Sequence, residues 1–170
     1  MTETYIIELL DNKKHIYKNF SCGVNELDIY LKERASQEIK KHVTAVYVLR
    51  EKSSHKIIGY YTLSSSSIEL SDLPQSTLKK LPKYKTIGVI LLGRLARDIS
   101  FKHKGIGEYL IMDALSRSYK LSKQLGSFAV IVDAKNEKIK SIYEKYGFIQ
   151  FVNRSLTLYI PINTIKQLVS

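Results

Sequence analysis

FKHKGIGEYL, residues 101–110, is the stretch whose reading decides the fold. Two glycines stand one residue apart behind three basic side chains and open a helical pattern. The backbone N–H groups of His103, Lys104, Gly105, Ile106 and Gly107 would converge at such a turn, reinforced by the helix dipole, on an anion. Glycine at 105 and 107 lets the chain curl with no Cβ in the path of a ligand. A P-loop needs four residues between its first glycine and a Gly-Lys-Ser/Thr, and neither glycine starts such a run. A dinucleotide fingerprint needs a third glycine at position 110, which is Leu110, and an acidic residue about twenty positions on. Both readings fail. A cradle for one pyrophosphate and a plain strand–helix turn both remain open at this point.

Outward from the turn, IGVILLGRLARD (87–98) reads as a long strand, apolar in its first half and therefore central in a sheet. Gly93 within it suggests a bulge or a close backbone approach. Residues 105–124 form the clearest helix, with Leu110, Ile111, Ala114, Leu115, Ser118, Leu121 and Leu125 on one face and Gly126 as C-cap. FAVIVD (128–133) is a short buried strand. Residues 136–146 form a second helix ended by Gly147, and residues 148–152 and 156–160 are final strands before a short tail helix begun by Pro161. Upstream, residues 5–9 suggest an edge strand. FSCGVNELDIYLKERASQEIKK (20–41) reads as one helix, with Asn25 as N-cap, Asp28 three residues on, and Leu27, Leu31, Ala35 and Ile39 on one face. TAVYVLR (44–50) and IIGYYTLSS (57–65) make an antiparallel hairpin about a polar loop. Residues 72–85 form a surface connection with one helical turn. Such an order predicts an α/β domain with a mixed sheet.

The 170 residues suit a single domain, 1–170, with 44% apolar and 25% charged residues. No run is long enough for a membrane span, and the N-terminus lacks the pattern of a secretory signal. Cys22, the lone cysteine, excludes an internal disulfide, and the four histidines show no metal-ligand spacing, so a metal-free cytoplasmic protein is expected. The net charge of +11 favours a polyanionic partner, although 21 of the 27 basic residues are lysine, many of them in solvated surface runs such as 79–85.

Arg/Gln-x-x-Gly-x-Gly/Ala after a long strand is how acetyl-CoA is bound in the GNAT acetyltransferases, which this chain resembles. Lys102 stands where that family has Gln or Arg. NEKIKSIYEKYGF (136–148) resembles the family's Asn-x-x-Ala-x-x-x-Tyr-x-x-x-Gly-Phe block, matching at Asn136, Tyr143, Gly147 and Phe148, with Ile139 in place of alanine. FSCGVNELDIYL (20–31), GYYTLS (59–64), LGRLARD (92–98) and VDAK (132–135) are similar to blocks of one branch, the GNAT toxins of type II toxin–antitoxin modules. The resemblance implies a mixed central sheet, antiparallel in its N-terminal part with a parallel pair at the cofactor cleft, flanked by helices. It also implies acetylation of the α-amine of aminoacyl-tRNA, arrest of translation, a ribbon-helix-helix antitoxin and a homodimer.

Carried onto these residues, the resemblance makes Tyr143 the proton donor to the departing sulfur. It makes Lys102, the 103–107 turn and Asn136 cofactor-binding. The strand end at Leu95, Ala96 and Arg97 should splay from its neighbour and offer backbone groups to the pantetheine and thioester carbonyl, one N–H acting as oxyanion donor. Arg94 and Arg97, set among apolar residues, read as sharing one sheet face, available to tRNA or phosphate. No strong base is needed, since an α-amine with a pKa of about 7.7–8.0 is partly neutral at cell pH. Two alternatives stand beside this reading. One is acetylation of a small-molecule or protein amine; the other is a non-enzymatic nucleic-acid-binding module.

Overall fold

The computed structural model describes residues 4–169. Strands β1 (Tyr5–Leu9), β2 (Ala45–Glu51), β3 (Gly59–Glu69), β4 (Thr86–Arg97), β5 (Ala129–Asp133), β6 (Ile149–Gln150) and β7 (Thr157–Pro161) form a seven-stranded sheet ordered β1-β2-β3-β4-β5-β7-β6. The pairs β1–β2, β2–β3, β5–β7 and β6–β7 are antiparallel, whereas β4–β5 is parallel. The sheet is mixed, as the order of elements predicts, and the apolar strand 87–98 is its middle member. No helix among the described residues is long and apolar enough to cross a membrane.

By internal contacts the chain divides into two compact units. The first comprises the described part of Met1–Ser64 together with Gly93–Ala114. Its hairpin pairs Ala45 with Leu63 through to Leu49 with Gly59. Phe20, Tyr30, Leu31, Val46, Val48, Tyr60 and Ala96 are buried together there. At the end of the first strand, Arg50 Nε donates to Glu8 at 2.7 Å, and His15 shares the same carboxylate oxygen at 2.6 Å. Since the Asp11 N–H donates to His15 Nδ1, the imidazole proton sits on Nε2 and points at Glu8.

The segment 20–41 departs from a single regular helix. Helix α1 (Asn25–Ile29) passes into a π-turn, Tyr30–Arg34, and then into α2 (Ala35–Lys40). Tyr30 and Leu31, the first two residues of the π-turn, are both buried in the core. Asn25 is not the cap: Val24 occupies that position, and the Asp28 carboxylate reaches back to the Cys22 N–H at 2.9 Å.

The second unit comprises Ser65–Leu92 and the described part of Leu115–Ser170. Ile68, Leu73, Val89, Ala129, Ile131, Phe151 and Tyr159 form its core. The 72–85 connection carries one short helix, α3 (Gln75–Leu78). Helix α4 (Ile106–Ser122) buries Ile106, Leu110, Ile111, Ala114, Leu115 and Ser118. Leu121 and Leu125, expected on that buried face, are exposed at 39% and 68%: Leu121 stands in the last turn of the helix, and Leu125 lies beyond its end at Ser122. Gly126 is not a left-handed C-cap; positive φ among the described glycines occurs at Gly23, Gly105 and Gly147. Helices α5 (Glu137–Glu144) and α6 (Ile162–Val169) complete the chain.

Candidate active site

Strand β4 ends at Arg97 and passes through a 3-10 turn, Ile99–Phe101, into the glycine turn. His103 takes φ +62° and Gly105 φ +72°. Two left-handed residues separated by one curl the backbone tightly, and at Gly105 any side chain would be strained. The first recorded bond into α4 runs from the Tyr109 N–H to Gly105 O at 3.0 Å. The amides of Ile106, Gly107 and Glu108 precede it and have no place in the helical ladder. A Cβ built on Gly107 meets no protein atom within 4 Å. Nothing in the chain itself therefore calls for glycine there, and glycine costs a helix about 0.5–1 kcal/mol relative to alanine. Open space over unpaired helical amides fits a pyrophosphate. Lys102, His103, Lys104 and Gly105 are exposed around it.

Asp98 holds this turn in place. Its carboxylate accepts from the Ser100 N–H at 2.9 Å, the Ser100 hydroxyl at 2.6 Å and the Ser21 N–H at 3.1 Å. Its own N–H donates to Ile58 O at 2.9 Å, and the Ile99 N–H donates to Ser21 O at 2.8 Å. The FSCG block is thereby tied to the end of β4. Burial raises the Asp98 pKa, but the hydrogen bonds from Ser100 and Ser21 outweigh it and leave the pKa lowered. Gly59 opens the way for α4: a Cβ there would lie 3.0 Å from Leu110 Cδ1 and 3.3 Å from Ala96 O.

The parallel β4–β5 ladder comprises Ile90↔Val130 and Leu91↔Ile131, whereas Val132 and Asp133 pair onward with Leu158 and Thr157 of β7. On β4, Ala96 is buried while Leu95 and Arg97 are half-buried. Arg94 and Arg97 do not share a face. Positions three apart alternate sides in an uninterrupted strand, and it is Ala96 that joins Arg94 toward Tyr30. The Arg94 guanidinium lies 3.6 Å from the centroid of the Tyr30 ring.

Helix α5 is capped by Asn136, whose side-chain oxygen accepts from the Ile139 N–H at 3.0 Å. Tyr143 lies in its last turn, 8% exposed, with its ring edge-on to Phe148 at 5.1 Å. The chain turns back at Gly147, φ +104°, and the Phe148 N–H returns to Tyr143 O at 3.4 Å. Burial pushes the Tyr143 pKa up to about 12, with Tyr146 adding to it. No hydrogen-bond partner for the Tyr143 hydroxyl occurs among the described residues.

No protein-family model matches the chain. A probable toxin TacT from Sinorhizobium fredii is 30% identical over 170 residues, spanning 96% of this chain and 94% of its own. The chain belongs to the GNAT toxins of toxin–antitoxin modules. A tRNA-acetylating toxin of Mycobacterium tuberculosis is 29% identical over 76% of both chains. Among solved GNAT toxins, a tyrosine-to-phenylalanine variant of KacT superposes with a TM-score of 0.90 at 33% identity, covering 97% of this chain and 99% of that one. AtaT complexed with acetyl-methionyl-tRNAfMet gives 0.90 at 30% identity, with 98% and 99% covered. An AtaT tyrosine-to-phenylalanine variant bound to the C-terminus of the antitoxin AtaR and acetyl-CoA gives 0.83 at 27% identity, again over 98% and 99%.

In this GNAT toxin the structure gathers Leu95, Ala96, Arg97, Lys102, His103, Lys104, Gly105, Ile106 and Gly107 along one strand end and the turn that follows. Asn136 and Tyr143 sit at the two ends of α5. The residues that sequence reasoning passed over are Asp98, Ser21 and Tyr30. Asp98 alone left a signal, as the acidic end of LGRLARD, four residues before the basic turn.

Proposed function

We propose that this chain transfers the acetyl group of acetyl-CoA to the α-amine of aminoacyl-tRNA and so removes charged tRNA from translation. The observation that carries this reading is the agreement, over 98% of the chain, with AtaT complexed with acetyl-methionyl-tRNAfMet. The net charge of +11 suits a polyanionic substrate.

In this reading the amides at 103–107, with Lys102, hold the pyrophosphate, and backbone groups of Leu95, Ala96 and Arg97 receive the pantetheine and thioester carbonyl. Acetyl-CoA supplies an activated acyl group. Asn136 serves through its cap, which fixes the start of the helix that carries Tyr143. Tyr143 donates to the departing sulfur. With its pKa at about 12, the phenol is protonated throughout the cellular range. It is also a weaker acid than a thiol of about 8.5, so it shares its proton with the sulfur rather than surrendering it. The proton that ends on coenzyme A then comes from the amine, which gains an acyl group as the C–S bond breaks.

The pH dependence follows. Deprotonating the amine creates the nucleophile, so kcat/KM rises with pH through about 7.7–8.0 and then levels. Deprotonating Tyr143 would remove the donor, so activity falls only as pH approaches about 12, beyond the working range. A falling limb near neutrality would instead assign the donor to another group. The partners in this proposal are a ribbon-helix-helix antitoxin and a second copy of the chain, in the cytoplasm. Cell-free translation tests the whole reading: inhibition should require acetyl-CoA and be relieved by fresh charged tRNA. Inhibition without acetyl-CoA would favour a binding module instead.

A further inference from the structure

Tyr30 is the first residue of the π-turn between α1 and α2, a helical irregularity often found at functional sites. Its ring cannot shift easily. Its hydroxyl donates to Glu38 at 2.8 Å, Glu38 also accepts from Thr44 at 3.1 Å, and the ring stacks on Tyr60 with planes 17° apart. Tyr60 is itself fixed by donating to Leu27 O at 2.7 Å. Arg94 lies on this fixed platform, 3.6 Å from the Tyr30 centroid. It is half-buried, and among the described residues it has no carboxylate partner. Glu38, the acid hydrogen-bonded to Tyr30, also holds Thr44. A guanidinium seated over an aromatic ring can still offer its N–H groups, and their fork matches phosphate oxygens two at a time.

We infer that Arg94 is a positioning residue that grips a phosphate at the 3′ end of the acceptor RNA. This inference rests on the proposed acetylation of aminoacyl-tRNA and extends it to one contact. An aminoacyl ester has no free α-carboxylate, and its amine must be neutral to react. The anions nearest the reacting nitrogen on such a substrate are therefore phosphodiesters. Arg94 lies one residue before Leu95–Arg97, the segment assigned to the thioester. A phosphate fixed there would orient the acyl amine and leave the cofactor to the 102–107 turn.

The test compares wild type, Arg94→Met and Arg94→Lys, with folding checked by thermal melting. Methionine keeps apolar cover over Tyr30 and removes the charge; lysine keeps the charge and removes the planar fork. With charged tRNA, Arg94→Met should lower kcat/KM about 10- to 100-fold, mainly through KM, and Arg94→Lys should recover part of that loss. The slope of log KM against log salt should become shallower by about 0.7–0.9 in Arg94→Met, the change expected for one phosphate. A purely structural role would not move that slope. Preference for charged tRNA over a phosphate-free aminoacyl methyl ester should fall by about the same 10- to 100-fold factor. An unchanged slope, or equal losses with tRNA and ester, overturns the inference. A raised KM for acetyl-CoA also overturns it, by assigning the phosphate to the cofactor. If wild type fails to acetylate charged tRNA, the underlying function falls, and this inference with it. If wild type succeeds and Arg94→Met matches it, only the inference falls.

Discussion

In the proposed reaction the 102–107 turn and helix α5 would each supply a donor, the turn through backbone amides and the helix through one phenol. The turn takes its shape from two left-handed residues and from Asp98, which accepts three hydrogen bonds beneath it. Its own side chains at 102–104 are exposed, so the exchange of Gln or Arg for Lys102 leaves the backbone cradle intact. In α5 the backbone only delivers Tyr143, whose ring is packed on Phe148 and whose hydroxyl has no hydrogen-bond partner among the described residues. A site made of amides tolerates change in its side chains; a site made of one hydroxyl does not.

Tyr143→Phe should give the largest effect. It leaves the packing against Phe148 and removes only the oxygen, so kcat should fall about 10²- to 10⁴-fold. Melting temperature should stay within a degree or two, since a hydroxyl without a protein partner contributes little to the fold. An undiminished kcat would place the donor elsewhere and erase the contrast between the two regions.

Asp98→Ala should act through the turn. Removing the carboxylate leaves the Ser21 and Ser100 N–H groups without an acceptor, a destabilisation of about 1.5–3 kcal/mol by denaturant unfolding. Acetyl-CoA affinity, measured by calorimetry, should fall with it. Unchanged affinity in the folded variant would show that the turn needs no support from Asp98.

Gly107→Ala sharpens the comparison because its two effects have opposite signs. An added Cβ touches no protein atom, so the helix should gain about 0.5–1 kcal/mol of stability. The same methyl enters the space over the unpaired amides, and acetyl-CoA affinity should drop several-fold. Gains in both would mean that the space over the turn is not the pyrophosphate site.

Much of this architecture was legible from the chain because it rests on local rules. β-Branched and aromatic runs give the hairpin, a continuous apolar run gives the central strand, and two glycines bracket the helix start. The helix from 20 to 41 shows where such rules stop. Its hydrophobic spacing fits an ordinary helix, and nothing in that spacing marks the π-turn at Tyr30–Arg34, whose first residue stacks on Tyr60 far along the chain. Leu121 in the last turn of α4 and Leu125 beyond its end continue the helical period but are exposed, so periodicity overstates the buried face. Asn136 matches the family block and so reads as cofactor-binding; in the structure its side-chain oxygen caps α5, a role that the same residue type at a helix start equally predicts. The reading of Arg94 and Arg97 as sharing one sheet face conflicts with the two-residue period of a strand.

The central claim is acetyl transfer from acetyl-CoA to the amine of charged tRNA. Its most direct measurement is mass spectrometry of the aminoacyl-adenosine released by nuclease after incubating the protein with acetyl-CoA and charged tRNA. The account predicts a product heavier by one acetyl group on the aminoacyl amine, formed by wild type and strongly reduced in Tyr143→Phe. Unmodified aminoacyl-adenosine, alongside acetylation of a free polyamine or protein amine under the same conditions, would contradict it.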